Sequence, residues 1–245
     1  MNGAAAVTPE SGDTHLSIVI PAFNEALRLP STLERVVSFA TSGPFNAEVI
    51  VVDNASTDST KSIVMEFIAR FPVVKYLHES TRGKGAAVRT GIMAASGEYL
   101  LFSDADLAVP IEEAVNFLPP RLAEFDVAIG SREAKGAKRY GEPFHRHLMG
   151  RVFNLLVRVL LLPGLHDTQC GFKVFRRDAA RFLFPLGRIH GWSFDVEILH
   201  LARRKGYRIV EVPVQWYYGE ESKVRPLYDT WRMFKDILKI RMAAK

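Results

Sequence analysis

The sequence has little cysteine and no long apolar run, and both shortages narrow what the chain can be. Its single cysteine, Cys170, excludes an intrachain disulfide framework and any zinc or iron–sulfur site built from several cysteines. No apolar stretch of about 18 residues occurs, so we expect no transmembrane helix. Residues 1–15 lack the basic start and apolar core of a signal peptide and are expected to form a polar tail. A reducing, cytoplasmic location fits this composition best.

The remaining composition is that of an ordinary globular protein. The chain has 245 residues, of which 48% are hydrophobic and 24% charged, which excludes wholesale disorder and suffices for one domain with a sizeable core. The formal net charge of +5 favours an anionic partner, which could be a phosphate, a nucleic acid or a membrane surface.

Short apolar runs alternate with helix-like stretches in the first half of the chain. The runs are rich in β-branched and aromatic residues, as doubly buried parallel strands are. They cover residues 16–20, 49–52, 73–77 and 99–102, and helices are predicted between them near 31–41, 58–70 and 84–95. This alternation predicts an α/β fold with an open, mostly parallel sheet flanked by helices.

The rhythm changes after Asp106. Strands are predicted near 126–130, 169–175 and 208–216, and helices near 146–162, 194–203 and 226–242. Between Lys223 and Lys245 lie seven basic and two acidic residues, with Trp231 and Phe234 on one apolar helix stripe. Such a helix can lie on anionic lipid, or it can pack on the core or a second subunit. The same choice is open for the helix near 146–162, which could also form the groove for an acceptor.

A polar cluster follows each of the first four predicted strands. The clusters are residues 21–25, 53–58, 82–85 and 104–106. Because ligands bind beyond the carboxyl ends of strands in an open parallel sheet, we expect all four clusters to meet at one edge.

The pair Asp104 and Asp106 is the sharpest chemical signal among these clusters. Two carboxylates two residues apart on a turn can share a hard divalent ion, Mg²⁺ or Mn²⁺, together with substrate phosphates. Nearby in the predicted sheet, Arg82 and Lys84 flank Gly83 at the start of a helix, an arrangement that suits a diphosphate. The pattern fits neither a Walker A loop nor a dinucleotide-binding glycine motif.

Long ordered blocks of this sequence resemble the inverting GT-A glycosyltransferases. The run IVIPAFNE, then VVDNASTDST, RGKGAAVRTG and LLFSDADLA carries that resemblance. The later blocks AIGSR, DTQCGFKVF, GWSFDVEIL and GYRIVEVPVQW narrow it to the dolichyl-phosphate β-glucosyltransferase group and bacterial polyprenyl-phosphate relatives. Leu107 departs from the common pattern, in which Gly or Gln often follows the second aspartate, and this disfavours a close copy of the mannosyl-transferring arrangement.

The resemblance implies a donor site for a nucleotide-sugar in residues 16–110. Asp53 would hold the base, and Lys84 would contact the diphosphate. Asp104 and Asp106 would hold the metal, with Asp106 the more direct ligand. The residues implied to bind the nucleotide-sugar are Pro21, Phe23, Asn24, Glu25, Asp53, Ser56, Lys84 and Asp104.

Residues 111–225 would form the acceptor half of a domain spanning 16–225, with a basic amphipathic helix over 226–245. The resemblance implies that Ser131 and Arg132 face an acceptor phosphate and that Asp167 and Gln169 lie by the reacting sugar. Asp167 could act as a base, orient the sugar or cap a turn. Asp195 is implied to lie near the donor, and Lys223 is a further candidate for the cation-rich site, as are Arg139 and Arg146. Trp192 and Trp216 are expected in the core, as is Cys170.

The reaction implied is transfer of a hexose, with glucose from UDP-glucose the leading candidate, onto a polyprenyl phosphate with inversion. The enzyme would associate peripherally with the cytoplasmic membrane face, would bind no nucleic acid and could form a homo-oligomer. Three other functions stay open at this point: a mannosyltransferase using GDP-mannose, a GT-A enzyme acting on a hydroxyl acceptor, and a nucleotidyltransferase. A binding module for nucleic acid or membrane would leave the four strand-end clusters unexplained.

Overall fold

A computed structural model describes residues 14–219 and 226–243 of the chain. Its central sheet has seven strands in the order β3-β2-β1-β4-β7-β5-β8. The strands are β1 (Leu16–Ala22), β2 (Ala47–Asp53), β3 (Val74–His78), β4 (Tyr99–Ser103), β5 (Val127–Ser131), β7 (Phe172–Arg176) and β8 (Ile209–Pro213). A second, two-stranded sheet pairs β6 (Lys138–Tyr140) with β9 (Gln215–Tyr217).

Helices cover the large sheet and connect its strands. They are α1 (Leu29–Ser42), α2 (Thr60–Arg70), α3 (Lys84–Ala94), α4 (Phe144–Leu160), α5 (Arg177–Leu183), α6 (Phe194–Arg204) and α7 (Pro226–Ala243). None of the helices in the described ranges is both long and apolar enough to cross a bilayer.

The sheet is buried on two sides because its strands carry apolar side chains on both faces. Ile18 and Ile20 of β1 point into one cluster with α1 and α2, whereas Val19 points into the other with α3, α5 and α6. β1, β2, β3 and β4 all run parallel, as the alternation of strands and helices predicts. Their carboxyl ends therefore meet at one edge, where the four polar clusters begin.

The second half of the sheet differs from the simple pattern at two points. β7 runs antiparallel between β4 and β5, and it begins at Phe172 rather than near 169. The predicted strand over 208–216 divides after Pro213. β8 pairs with β5, and β9 leaves the large sheet to pair with β6. Proline has no N–H for a ladder hydrogen bond, so Pro213 is a natural end for β8.

Candidate active site

One cavity of about 850 Å³ opens at the carboxyl edge of the parallel strands. Nine of the residues predicted for the site line it: Pro21, Phe23, Glu25, Lys84, Asp104, Asp106, Arg132, Gln169 and Asp195. Three of the four strand-end clusters thus send predicted site residues into one cleft, and Asn54 of the remaining cluster lines it as well. A cleft of this size is in the range of small-molecule sites.

Three loops of this edge hold non-glycine residues in the left-handed backbone region. They are Asn24 (φ 51°) after β1, Ala55 (φ 56°) after β2 and Leu107 (φ 46°) after β4. Within the part of the chain that the structure describes, these are all the non-glycine residues with positive φ. Such conformations cost free energy and concentrate at functional sites. Leu107 therefore occupies a turn that glycine would fit with less strain.

Phe23 and Arg82 line one part of the cavity and contact each other. The Arg82 guanidinium lies 5.6 Å from the centroid of the Phe23 ring, a cation–π contact. Asn54 fixes the adjoining loop, because its side-chain amide donates to the carbonyls of Glu79 and Thr81 and its Oδ1 accepts from Gly83 N at 2.8 Å. An aromatic ring and a planar cation that line a cavity offer flat surfaces on which a nucleobase can stack.

Three residues predicted to touch the nucleotide, Asp53, Ser56 and the exposed Asn24, are not among the residues that line the cavity. Asp53 is 3% exposed, and its two carboxylate oxygens accept from Ser56 N and Tyr76 Oη, each at 2.9 Å. Ser56 Oγ accepts from Asn24 N, and Asn24 Oδ1 accepts from Thr57 N. In this arrangement these side chains join the loops after β1 and β2 to each other. The expectation that they line the site is corrected accordingly.

Lys84 and the two aspartates form the charged centre of the cavity. Lys84 Nζ lies 2.6 Å from Asp104 Oδ1, and it also faces the Trp192 ring at 5.5 Å. Burial opposes the ammonium charge, but Asp104 and Asp195 keep the pKa of Lys84 above its usual value. Asp106 keeps contact with solvent at the cavity surface, but partial desolvation by the surrounding protein and the charge of Asp104 raise the pKa of Asp106.

Gly171 of the neighbouring loop makes room for Asp104. A Cβ atom at position 171 would lie 1.9 Å from Asp104 Oδ2, and the Gly171 carbonyl accepts from Asp104 N at 3.0 Å. Only glycine leaves the carboxylate in its place. This is a signal that the sequence carries, since Gly171 lies in the block that also holds Gln169.

The donor set at the aspartates fits a divalent cation that also binds substrate. Asp104 and Asp106 repel each other as free carboxylates, and an ion between them would relieve that repulsion. Across the described residues, no group of three or more His, Cys, Asp or Glu side chains could enclose a metal. A two-carboxylate site of this kind suits Mg²⁺ or Mn²⁺, which complete their coordination with water and phosphate oxygens.

Arg132 and Asp167 form a buried ion pair beside the cavity. Arg132 Nε and Nη2 donate to the two oxygens of Asp167 at 2.7 and 2.9 Å, and Arg132 N donates to Asp167 Oδ2 at 2.9 Å. Asp167 is fully buried, and although burial alone would raise its pKa, Arg132 lowers the pKa to about 2. A carboxylate so engaged is no base at neutral pH, so the expectation of a catalytic Asp167 is corrected to a residue that holds Arg132.

Glu211 of β8 fixes the loop that carries this aspartate. Its carboxylate accepts from His166 N at 3.0 Å and from Asp167 N at 2.9 Å. Glu211 thus positions Asp167, and Asp167 in turn positions Arg132. The side chain of Arg132 is 16% exposed and lines the cavity.

Ser131 and Arg139 have other partners than those expected. Ser131 is fully buried, and its Oγ accepts from Glu133 N and Ala134 N, so it stabilises the turn after β5 and does not line the cavity. Arg139 lines the cavity but lies between two carboxylates, Glu133 and Glu142, each at 2.6 Å. The expectation for Ser131 is corrected, and Arg139 is already neutralised.

The inner wall of the cavity holds polar atoms that lack partners. Gln169 Nε2 and Asp195 Oδ1 are both buried and make no hydrogen bond within the described protein. Trp192 lies beside them and lines the cavity, which corrects its expected place in the core. Trp216, half-buried under the Arg132 guanidinium at 5.4 Å, also lines the cavity. Cys170 is buried as expected, and burial raises the pKa of its thiol to about 12.

Helices α4 and α7 close the remaining side of the cavity. Gly150 and Asn154 of α4 and Arg232, Met233 and Asp236 of α7 line it. The acceptor-groove role expected as one alternative for the helix near 146–162 is compatible with the place of α4. The contribution of α7 was missed, because its sequence pattern was interpreted only as a surface for lipid or protein. Lys223 lies outside the described residues, as does the side chain of Arg146.

Comparison with known proteins identifies the group to which this chain is similar. Residues 17–184 match the model of glycosyl transferase family 2. A dolichyl-phosphate beta-glucosyltransferase of Dictyostelium discoideum is 37% identical, over 93% of this chain and 74% of the relative. The Homo sapiens protein of that name is 34% identical, over 95% of this chain and 76% of its own length.

Solved structures resemble the fold. Glucosyl-3-phosphoglycerate synthase from Mycobacterium tuberculosis, in complex with Mn²⁺, UDP-glucose and phosphoglyceric acid, superposes with a TM-score of 0.66 at 20% identity. The superposition covers 94% of this chain and 79% of that one, and a complex of the same enzyme with Mg²⁺ and UDP gives a TM-score of 0.65. The expected GT-A fold is thereby confirmed. The chain is a glycosyltransferase and belongs to glycosyl transferase family 2.

Proposed function

We propose that this enzyme transfers glucose from UDP-glucose onto a polyprenyl phosphate of the dolichyl type, with inversion at the anomeric carbon. The observation that carries the proposal is a cavity in which Phe23 and Arg82, a charged centre and an inner polar wall lie together beside α4 and α7. The relatives are dolichyl-phosphate beta-glucosyltransferases, and this supports the choice of acceptor and of β-linked glucose. The neighbouring synthase, solved with UDP-glucose, supports the choice of donor.

The donor would lie along the cavity from Phe23 to Asp195. Its uracil would stack beside Phe23 and Arg82, and its diphosphate would lie at Lys84. The glucose would then reach Gln169 and Asp195, whose unpartnered atoms suit sugar hydroxyls. On this proposal the division into a donor half (16–110) and an acceptor half (111–225) is incomplete, since the second half also supplies the sugar wall.

The reaction needs no protein base. One oxygen of the acceptor phosphate attacks the anomeric carbon, and the bond from that carbon to the nucleoside diphosphate breaks with its electron pair. Since a phosphate monoester has a second pKa of about 6, the attacking oxygen is already largely ionised at neutral pH. This agrees with the engagement of both Asp167 oxygens by Arg132.

The protein's own task is to hold two anions close to each other. Lys84 would neutralise the donor diphosphate, and Arg132, held by Asp167, would present its remaining N–H donors to the acceptor phosphate. Asp104 and Asp106 would hold the divalent cation. When bound, that cation would supply positive charge to the leaving diphosphate.

We also propose that the outer faces of α4 and α7 bind an anionic membrane. Three apolar side chains of α4 are largely exposed: Val152 (62%), Leu155 (57%) and Val159 (70%). On α7, Trp231 and Met242 are 60% and 68% exposed. Basic residues accompany these faces at Arg151, Arg158, Lys235, Lys239 and Arg241. Apolar side chains ringed by cations suit the interface of an anionic bilayer, from which the lipid acceptor would enter the cavity.

A donor panel tests the proposed reaction. The purified enzyme is incubated with a polyprenyl phosphate, Mg²⁺ or Mn²⁺, and one of UDP-glucose, UDP-N-acetylglucosamine, UDP-glucuronic acid or GDP-mannose, and lipid-linked sugar is followed. We expect transfer from UDP-glucose to exceed transfer from each other donor by at least about tenfold, because a site built for particular hydroxyls rejects analogues that leave its polar groups unpaired.

Two results would replace the proposal with its alternatives. Faster transfer from GDP-mannose would make the enzyme a mannosyltransferase. Transfer of glucose to a water-soluble alcohol at the same rate in the absence of polyprenyl phosphate would make it a hydroxyl-directed enzyme, which requires a base that the proposal does without.

A further inference from the structure

A lysine lies in the middle of the sheet, where an apolar residue is expected. Lys173 is 1% exposed and belongs to β7, the antiparallel strand between β4 and β5. Its register partners are Phe102 and Ile129, and the face it shares with them is otherwise apolar. No step of the proposed reaction uses it.

The ammonium group of Lys173 has three partners. Its Nζ donates to the Cys170 carbonyl at 2.6 Å, and it lies 3.3 Å from Asp195 Oδ2 and 5.2 Å from the centroid of the Phe102 ring. Asp195 is itself 3% exposed, and its other oxygen, Oδ1, has no partner within the described protein. One oxygen of Asp195 therefore faces Lys173, and the other is buried without a partner in a side chain that lines the cavity.

This pair is costly as a purely structural device. Buried ion pairs can often be replaced by apolar side chains of similar size with no loss of stability, because desolvation offsets their attraction. A methionine at position 173 would satisfy the apolar face without that cost. Departures from such local rules are expected at functional sites.

We infer that Lys173 is a positioning residue that orients Asp195 so that its Oδ1 accepts a hydrogen bond from a hydroxyl of the donor sugar. The inference rests on the proposed function for the identity of that sugar. Lys173 does not touch the donor itself. It acts through Asp195, and its loss weakens binding of the sugar part of the donor without weakening binding of the nucleotide part.

Binding measurements separate this role from a structural one. The dissociation constants of UDP, UDP-glucose and the four monodeoxy analogues of UDP-glucose are measured by calorimetry with Mn²⁺ for the wild type, Lys173→Met, Asp195→Asn and the double variant. For the wild type we expect at least one deoxy donor to bind about 10- to 100-fold more weakly than UDP-glucose, as the loss of a hydrogen bond to a charged group predicts.

In Lys173→Met and in Asp195→Asn this discrimination should fall to about threefold or less, while UDP should bind no more weakly than to the wild type. The double variant should be no worse than Asp195→Asn alone, because both changes remove the same interaction. Lys75→Met is the matched control, since Lys75 forms the ion pair with Glu48 outside the cavity, and it should leave every dissociation constant unchanged.

Several results would overturn the inference. These are a wild type that does not discriminate among the deoxy donors, a Lys173→Met variant that keeps the wild-type discrimination, weakened UDP binding in that variant, and additive effects in the double variant. Because no acceptor is present, these outcomes are independent of polyprenyl-phosphate transfer. Failure of the donor panel alone would remove the proposed reaction and leave the sugar contact standing.

Discussion

Asp106 and Asp167 are two carboxylates of one site in opposite electrostatic surroundings. Desolvation and the charge of Asp104 raise the pKa of Asp106, whereas Arg132 lowers the pKa of the buried Asp167 to about 2. A carboxylate among like charges gains from a bound cation, and one in a bidentate pair with arginine already has its partner. The two residues should therefore respond differently to substitution.

Replacement of Asp106 should affect catalysis and leave folding intact. We expect Asp106→Ala to lower glucosyl transfer by about 100-fold or more, since it removes a ligand for the charge that neutralises the leaving diphosphate. The melting temperature should not fall, because the substitution also relieves repulsion with Asp104. Transfer is measured as lipid-linked glucose. Glu112→Ala, which removes an exposed ion pair with Arg35 instead, is the control and should keep wild-type turnover.

Replacement of Asp167 should affect folding first. Asp167→Asn leaves the buried Arg132 without a counterion, which costs about 3–5 kcal/mol, and thermal unfolding should show a clearly lower melting temperature. Since Asp167 stays ionised down to about pH 2, it should contribute no acid limb to the rate between pH 5 and 7. Two results together would restore the base role. The first is an Asp167→Asn variant that melts like the wild type but loses turnover, and the second is an acid limb between pH 5 and 7 in the wild-type rate that the variant lacks.

Which residues meet at the site could be predicted from the sequence, but the role of each carboxylate could not. Lys84, Asp104 and Asp106 follow strands whose ends meet, so their meeting could be predicted from the order of elements alone. Ser131 and Asp167 also lie in blocks that were predicted to belong to the site. The direction of each side chain, however, depends on its hydrogen-bond partners, which are in the local turn for Ser131 and distant in the chain for Asp167. Bidentate pairing of Asp167 with Arg132 is a fact of packing that no spacing contains.

At the scale of elements, a buried carboxylate connects the amino ends of the parallel strands, which are the ends away from the cavity. Glu48 of β2 accepts hydrogen bonds from Ser17 of β1, from Lys75 of β3 and from Ser96 after α3. Burial alone would raise its pKa, but these hydrogen bonds lower it to about 2. The side chain is 6% exposed, and it lies at the edge of the sheet away from the cavity.

Glu48 predicts a specific dependence of stability on pH. Because its pKa is lower in the folded protein than the usual 4.5, its contribution is present above pH 4.5 and is lost as the pH falls toward 2. We expect Glu48→Gln to lower the free energy of unfolding by about 3 kcal/mol at pH 7 and by much less near pH 2.5. Urea unfolding at both pH values checks this. A difference that stays constant with pH would mean that packing, and not ionisation, carries the effect.

Elements of the first half could be predicted closely because each strand lies between helices of ordinary length and connects by right-handed crossovers. The second half departs where local pattern and tertiary pairing disagree. Residues 208–216 have the pattern of one strand, yet Pro213 ends β8 and β9 joins β6. The antiparallel β7 was foreseen as a strand, but its place between β4 and β5 depends on pairing across the whole chain.

At the scale of the whole molecule, catalysis and membrane contact share the same two helices. α4 and α7 line the cavity with Asn154, Met233 and Asp236, and they carry exposed apolar side chains elsewhere on their surfaces. An acceptor held by its phosphate in the cavity would leave its polyprenyl chain between them. The membrane surface would then be part of the acceptor site. Loss of membrane binding should therefore lower kcat/KM for the lipid acceptor and leave the KM for the donor unchanged.

The combined substitution Val152→Ser, Leu155→Ser and Val159→Ser tests this coupling. These side chains are more than half exposed, so the change should leave the melting temperature within a few degrees of the wild type. We expect co-sedimentation with anionic vesicles at low salt to be lost and kcat/KM for a long-chain polyprenyl phosphate in vesicles to fall about tenfold or more, because burial of each aliphatic side chain in the interface contributes roughly 1 kcal/mol.

The KM for UDP-glucose should not change. The control variant is Met65→Ser, at an exposed residue of α2, and it should behave as the wild type. A triple variant that still sediments with vesicles and keeps its acceptor kinetics would show that this face of α4 contacts something other than lipid.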